Sequence, residues 1–294
     1  MFPIIPASTA APSGNQGIFA FGSGDVSTSN LVSNAGEIAS DTAGVGTGRY
    51  NIAATEYGGD KGIFAFGYFS PPSTNVNESN LVSNLGVVSS DVSGVGTDKH
   101  GISACRYGGD KGIFAYARAP MLNTKNLVSN SGVVSSDSSG AGTSRGSLAS
   151  CEYGTDTGIF GFGDTGSRVS MTNLVSNTGT IASDTTGVGT EKRYPAACGY
   201  GDDKGIFGFG SSNAGASNIT NLVANTGVMA SDGTGVGTGR QGLAATQYGD
   251  TKGIFAFGGG TAASNKVSNT GVMASDTTGV GSARGGLGAC SFGS

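Results

Sequence analysis

The chain of 294 residues has no tryptophan, one histidine, seven prolines and only 12% charged residues. The low charge excludes a charge-rich disordered chain, and the scarcity of proline excludes a collagen-like one. With a single histidine, every Ser-His-Asp or Cys-His catalytic arrangement would depend on His100. We therefore expect a protein without enzymatic activity that holds no cofactor and no metal ion.

Long apolar runs and concentrations of positive charge are also missing. No stretch approaches the roughly 20 apolar residues that cross a bilayer, and residues 1–12 lack the cationic flank and apolar segment of a signal peptide. The net charge is −4, and the lysines and arginines are spread evenly along the chain, so there is no basic stripe to bind phosphates. Membrane insertion and nucleic-acid binding are not expected.

Glycine, in contrast, is abundant, at 55 residues. Apolar residues occur in short clusters such as Gly-Ile-Phe-Ala-Phe-Gly, with polar residues between them. No helical apolar period persists over even about three turns, so the pattern predicts strands. The chain is expected to be an all-β protein.

An internal repeat organises these clusters. The segment that begins Gly-Ile-Phe returns at intervals of 45, 50, 46, 47 and 48 residues, and its isoleucines are Ile18, Ile63, Ile113, Ile159, Ile206 and Ile254. Such intervals are typical of one four-stranded blade of a β-propeller and exceed the repeat of a leucine-rich solenoid. Six repeats therefore predict a six-bladed β-propeller.

Each repeat contains four strand-sized pieces, which in the second repeat are residues 52–57, 63–66, 80–83 and 87–90. The first two flank a Gly-Gly-Asp-Lys turn and the last two flank an Asn-x-Gly turn. Both turns contain residues that accept a left-handed backbone. We expect two hairpins, and hence one four-stranded blade, from each repeat.

The two ends of the chain complete one repeat between them. Residues 17–22 are a second strand without its first, and residues 284–293 contain a first strand without its second. We expect these strands to pair in one blade and close the ring, which leaves no long unpaired edge. The predicted domains are an extended arm, residues 1–13, and the propeller, residues 14–294.

The order Arg-Tyr-x-x-Ala-Ala, Tyr-Gly and Gly-Ile-Phe-Ala-Phe-Gly resembles the kelch repeat, over residues 15–294. The chain differs from that family in ending its second strand with one glycine (Gly67, Gly163 and Gly210) and in lacking a Trp in the fourth strand and a Tyr in the third. The resemblance implies a binding scaffold closed by a split blade. The near-identity of the repeats is similar to that of kelch-like proteins encoded by bacteriophages, which implies a virion protein.

The four cysteines share one position of the repeat, where threonine occurs in the other two copies: Cys105, Cys151, Cys198, Cys290, Thr55 and Thr246. On an innermost strand such positions lie about 8–12 Å apart, beyond the reach of about 7 Å that a disulfide allows. A zinc site would need the sulfurs to converge further, and two threonines argue against a ligand set. We expect small, buried, free thiols.

A basic residue recurs in every repeat, at Arg49, Lys99, Arg145, Lys192 (or its neighbour Arg193), Arg240 and Arg284. An aspartate recurs with it, at Asp41, Asp91, Asp137, Asp184, Asp232 and Asp276. Two roles are open for the cations: holding an anion near the mouth of a central channel, or capping carbonyls and pairing with the aspartates. Six copies favour the structural role, because one ligand site does not need them all.

The repeats differ most between the second and third strands, where the six connections should emerge on one face. Loops on a rigid scaffold are where recognition usually occurs, although loops under no constraint would also diverge. The residues predicted to bind there are Tyr68, Phe69, Pro71, Pro72, Met121, Leu122, Arg168 and Asn213. In the arm, Phe2, Ile4 and Ile5 are expected to dock on a neighbouring subunit, with an unstructured tail as the alternative.

These observations lead to an expected function. We expect a non-enzymatic virion component, in a tail, fibre or capsid surface, that contacts another virion protein or a host-surface glycan as part of a larger assembly. It would be made in the host cytoplasm. The alternative is a soluble lectin-like, carbohydrate-binding propeller, either cytoplasmic or secreted without a recognisable signal peptide. An oxidase-type propeller would need His and Tyr metal ligands that the sequence does not supply.

Overall fold

The computed structural model describes residues 15–293, and the predicted arm with Phe2, Ile4 and Ile5 lies outside them. The regular elements of this part of the chain are all strands, so the predicted all-β class is confirmed. No helix that is long and apolar enough to cross a membrane occurs among the described residues. The strands are β1 (Gln16–Gly22), β2 (Val26–Val32), β3 (Ala53–Tyr57), β4 (Lys61–Phe69), β5 (Thr74–Val82), β6 (Ser103–Tyr107), β7 (Lys111–Ala117), β8 (Leu122–Val128), β9 (Ala149–Tyr153), β10 (Thr157–Gly161), β11 (Thr172–Val175), β12 (Ala196–Tyr200), β13 (Lys204–Gly208), β14 (Ser211–Ser212), β15 (Gly215–Ala216), β16 (Thr220–Val223), β17 (Ala244–Tyr248), β18 (Lys252–Ala256), β19 (Ser264–Val267) and β20 (Gly288–Phe292).

These strands form antiparallel sheets of three, apart from the small ribbon β14-β15. We number them sheet 1 (β20-β1-β2), sheet 2 (β3-β4-β5), sheet 3 (β6-β7-β8), sheet 4 (β9-β10-β11), sheet 5 (β12-β13-β16) and sheet 6 (β17-β18-β19). In each of them the predicted pairing of the first and second strands is present. In sheet 2 the turn between these strands places Gly58 and Gly59 at φ of 66° and 80°, values that favour glycine.

The prediction of a fourth strand in each sheet is wrong. In sheet 2 the segment after the Asn-x-Gly turn meets β5 only through isolated bridges, such as Ser79 with Val92. Between the bridges, the side-chain amide of Asn80 donates to Ser89 O at 3.0 Å, and this carbonyl is the acceptor that a fourth strand would offer to the ladder. An asparagine does the same in all six sheets. Side chains therefore replace the outer ladder, and each sheet has three strands.

The two ends of the described chain lie in one sheet. β20 pairs with β1 in antiparallel register, with Cys290 opposite Ile18 and Ala289 opposite Phe19. The predicted pairing of these segments is therefore confirmed. The first strands of the six sheets also contact one another in the closed order β3, β6, β9, β12, β17, β20 and back to β3.

A ring of backbone hydrogen bonds runs through the residues just before these first strands. Asn51 N–H donates to Gly286 O at 2.7 Å, and Gly101 N–H donates to Asn51 O at 3.0 Å. The same bond continues through Ser147, Tyr194 and Gly242 back to Gly286. All six residues have φ between 53° and 68°, so their N–H and C=O groups point to neighbouring sheets on either side instead of continuing a strand.

Aromatic residues on the second strands, or just after them, join each sheet to both of its neighbours. Phe19 contacts Phe257 of sheet 6, whereas Phe21 contacts Phe64 of sheet 2, each with 5.4 Å between ring centroids. Residues two apart on a regular strand share one face, but β1 has a bulge between Ala20 and Gly22 and a φ of 65° at Phe21. This bulge turns Phe21 to the opposite face, and five equivalent aromatic residues also have positive φ: Phe66, Tyr116, Phe162, Phe209 and Phe257.

The first strands enclose a narrow central cavity, whose middle part of about 110 Å³ is lined by residues of all six sheets. We call the end of this cavity beside the turns between first and second strands the hairpin end. The other end, beside the connections between second and third strands, is the loop end.

Candidate functional site

The recurring basic residues are buried between the sheets and not at a channel mouth. Arg49 has no exposed side-chain surface; its Nε donates to Phe66 O at 2.8 Å, and its Nη2 donates to Asn80 Oδ1 at 2.7 Å. Asp91 Oδ1 lies 3.6 Å from Nη1. The guanidinium centre also lies 4.5 Å from the Phe21 ring of sheet 1, which ties two sheets together. Burial lowers the pKa of Arg49 to about 10.

The other five cations have similar surroundings, and we call the six sets of cation, asparagine and aspartate the basic frame. Lys99 donates to Asn126 Oδ1 and Asp137 Oδ1, at 2.7 and 2.8 Å. Lys192 donates to Asn221 Oδ1 at 2.8 Å, and burial lowers its pKa to about 8. The six cations are exposed by at most 3%: Arg49, Lys99, Arg145, Lys192, Arg240 and Arg284. These cations hold the sheets together, and an anionic ligand cannot reach them.

The four cysteines are free and buried, as predicted. Each sulfur packs against the glycine that opens a second strand in the next sheet. A Cβ on Gly158 would lie 2.6 Å from Cys105 Sγ, and one on Gly62 would lie 2.4 Å from Cys290 Sγ. Burial raises the pKa of the Cys105 thiol, which makes it a poor nucleophile. The cysteines thus set the spacing of the sheets.

The predicted loop residues form two groups at the loop end. In sheet 2, the Tyr68 ring lies 5.3 Å from that of Tyr50 and 5.1 Å from that of His100. Phe69 follows it partly exposed, and Pro71 and Pro72 are exposed. In the neighbouring sheet 3, Met121 is 39% exposed and Leu122 is half-buried.

The second group joins sheets 4 and 5. Arg168 Nη1 donates to Asn213 Oδ1 at 2.9 Å, and its Nε donates to Ser211 O at 2.9 Å. Asn213 is exposed and Arg168 is half-buried. This pair therefore fixes two loops to one another as well as presenting polar groups.

His100 was missed as part of the loop group. Its Nδ1 lies 2.7 Å from Asn75 Oδ1, and its ring contacts that of Tyr68 at an interplanar angle of 58°. Because Asn75 Oδ1 is an acceptor, Nδ1 carries the proton. Burial lowers the pKa of His100, and the positive charge of Arg118 lowers it further by a smaller amount. The signal in the sequence was that Tyr50 and His100 occupy the same repeat position, which is glycine in two other copies.

A second set of missed residues lies at the hairpin end of the cavity, where the opening has a volume of about 60 Å³. Arg106 Nε lies 2.5 Å from Glu152 Oε2, and Arg106 Nη1 lies 3.2 Å from Glu56 Oε2. Ser291 donates a hydrogen bond to Glu56. Burial raises the pKa of Glu56 to about 7, which Arg106 partly opposes and Glu152 reinforces. These residues occupy one repeat position, directly after the cysteine or threonine, and the sequence signal for them was that the copies of the repeat differ there.

No group of three or more His, Cys, Asp or Glu side chains that could hold a metal ion occurs within residues 15–293. No known protein-family model matches this chain, and no curated protein matches it.

Proposed function

We propose that the six sheets are the blades of a kelch-like β-propeller. The proposal is supported by the closed order of contacts between the first strands, by the hydrogen-bond ring that precedes them and by the pairing of β1 with β20. An experimental structure with another number of sheets around the cavity would overturn it.

The propeller acts, in this proposal, as a non-enzymatic binding module whose binding surface is the loop end. One contrast carries the proposal. The basic frame is repeated six times and buried, whereas Tyr68, with Tyr50 and His100 around it, occurs once and is partly exposed. A scaffold that is kept constant while one patch of its loops becomes aromatic has the organisation of a recognition surface.

The ligand that this patch fits best is a glycan. The apolar faces of sugar rings pack on aromatic side chains, while Tyr hydroxyls and a neutral imidazole supply hydrogen bonds. The resemblance to bacteriophage-encoded kelch-like proteins supports a place in a virion, where such a surface would contact the host. A further contact with another virion protein would hold the module in the particle.

A glycan array combined with light scattering after size exclusion tests the proposal. We expect selective glycan binding that the double variant Tyr68→Ala, Phe69→Ala abolishes. The matched control is Leu85→Ala, an exposed apolar residue in the turn at the opposite end of sheet 2, 68% exposed. Glycan binding that is equal in both variants would overturn the loop-end site, and binding by a protein that does not assemble would favour a soluble lectin.

A further inference from the structure

An arginine at the loop end makes no close contact with an acidic group, and it shares with Arg193 the one carboxylate whose pKa both cations help to lower, that of Asp164. Among residues 15–293, no hydrogen bond or ion pair reaches the guanidinium of Arg118; its centre lies 5.4 Å from the Tyr194 ring. Arg193 lies 5.7 Å from the same ring, but its Nη1 pairs with Asp164 Oδ2 at 2.8 Å. Asp164 Oδ1 accepts from Gly166 N–H at 2.7 Å, so both of its oxygens are used. One positive charge therefore remains uncompensated here.

A buried hydroxyl lies next to this charge. Ser147 Oγ has no hydrogen-bond partner among the described residues, and Ser147 is only 4% exposed. It lines the loop-end opening of the cavity together with Gly101 and Tyr194. The preceding residue, Gly146, packs so closely on Arg118 that an added Cβ would lie 2.3 Å from Arg118 Cα. Tyr194 links the two groups, because it lines the opening together with Ser147 and its ring lies 5.4 Å from the guanidinium centre of Arg118.

The site continues into the aromatic group. Arg118 N–H donates to His100 O at 2.9 Å, and the His100 ring contacts the tilted Tyr68 ring. The opening has a volume of about 70 Å³, which admits a small group of a ligand but not a whole sugar ring. A ligand that enters it with one substituent would keep its ring outside, towards Tyr68.

We infer that the edge of this opening, where Arg118 lies beside Tyr194, binds the carboxylate of an acidic sugar, with Arg118 as the ion-pairing residue and Ser147 as a hydrogen-bond donor. The inference rests on the proposed function and adds the class of ligand to it. A guanidinium with free N–H donors matches a planar carboxylate, and a hydroxyl can donate to the same anion. Three other sheets have glycine at the position of Ser147, namely Gly101, Gly242 and Gly286, so the hydroxyl is not needed for the ring of backbone bonds.

Calorimetric titration with glucuronate and with glucose tests the inference. We expect glucuronate to bind more tightly than glucose, and the difference to shrink at least about tenfold in Arg118→Gln and several-fold in Ser147→Gly. Ser147→Gly keeps the fold because glycine suits its φ of 56°. The control is Lys252→Gln, which removes an exposed cation from the first residue of β18 at the hairpin end, and this variant should bind glucuronate as the unsubstituted protein does.

Equal binding of glucuronate and glucose by the unsubstituted protein would overturn the inference, as would an Arg118→Gln variant that keeps the preference. The same variants on a glycan array separate this failure from that of the proposed function. Neutral glycans that need Tyr68 but not Arg118 would leave the binding module in place and remove only the carboxylate site.

Discussion

The basic frame and the loop end arise from the same repeat, but they differ in what changes from copy to copy. In the frame, every cation has a fixed set of acceptors inside the protein and almost no exposed surface. At the loop end, Tyr68 and Arg118 occur once each, and no hydrogen bond or ion pair within the described residues reaches the Arg118 guanidinium. Residues that recur in every copy of the repeat are therefore those that hold the sheets together. Departures from the repeat mark those that are free to meet a ligand.

Removing a cation of the basic frame should lower the free energy of unfolding more than any other change considered. In Arg145→Ala, the acceptors Phe162 O and Asn173 Oδ1, now 2.9 and 2.7 Å from the guanidinium, lose their donor, and Asp184 loses its cation. We expect the free energy of unfolding to fall by about 3–5 kcal/mol, measured by urea denaturation. Arg168→Ala at the loop end is the control and should cost less than about 1 kcal/mol. Equal losses would break the comparison.

An intermediate effect is expected from pH, because the frame and the hairpin end have carboxylates of opposite behaviour. Burial acts to raise the pKa of Asp137, but hydrogen bonds from Lys99, Thr97 and Asn126 lower it below its usual value. Its contribution to stability is therefore lost only as the pH falls. The pKa of Glu56 is raised from 4.5 to about 7. Its contribution is complete below pH 4.5 and is lost as the pH rises through about 7.

Glu56→Gln should therefore remove a decrease in unfolding free energy, of about 3 kcal/mol, between pH 4.5 and about 7. Urea denaturation across this range measures it. Glu37→Gln is the control, because the Glu37 side chain is 75% exposed, and its profile should follow that of the unsubstituted protein. A Glu56→Gln profile that also follows it would show that Glu56 does not titrate in this range.

The smallest effect concerns the close approach of neighbouring sheets. In Gly158→Ala, the new Cβ would lie 2.6 Å from Cys105 Sγ, so we expect a loss of about 1–3 kcal/mol from overpacking. Cys105→Ala in the same chain removes the sulfur and should recover part of that loss. A double-mutant cycle by thermal unfolding measures the coupling, and strictly additive effects would contradict the proposed contact.

Much of the fold could be predicted because the repeat displays it six times. The strand pattern, the pairing of the two ends and the buried thiols all follow from aligned copies. The fourth strand could not be predicted, because residues 87–90 have a strand-like sequence and only the position of the Asn80 amide in three dimensions reveals that it binds the Ser89 carbonyl. Strand propensity contains no information on this competition.

The charged groups at the two ends of the cavity could not be predicted for a different reason. Arg106 lies 46 residues from Glu152 and meets it only because neighbouring sheets place equivalent positions side by side. Arg118 and Tyr194 are further apart in sequence and come from different parts of the repeat. The sequence signal for these site residues is a repeat position at which the copies differ, such as that of Tyr50 and His100.

The hydrogen-bond ring that runs from Asn51 to Gly286 has an electrostatic consequence. Its six hydrogen bonds follow one another in a single direction around a closed path, so the vector sum of their dipoles nearly vanishes. Unlike a helix terminus, which concentrates partial charge at one point, this circulating arrangement creates almost no field along the central axis. The backbone thus holds the loop-end opening in shape and favours neither a positively nor a negatively charged ligand. Side chains alone determine which sign of ligand charge is favoured, and one substitution is enough to change it.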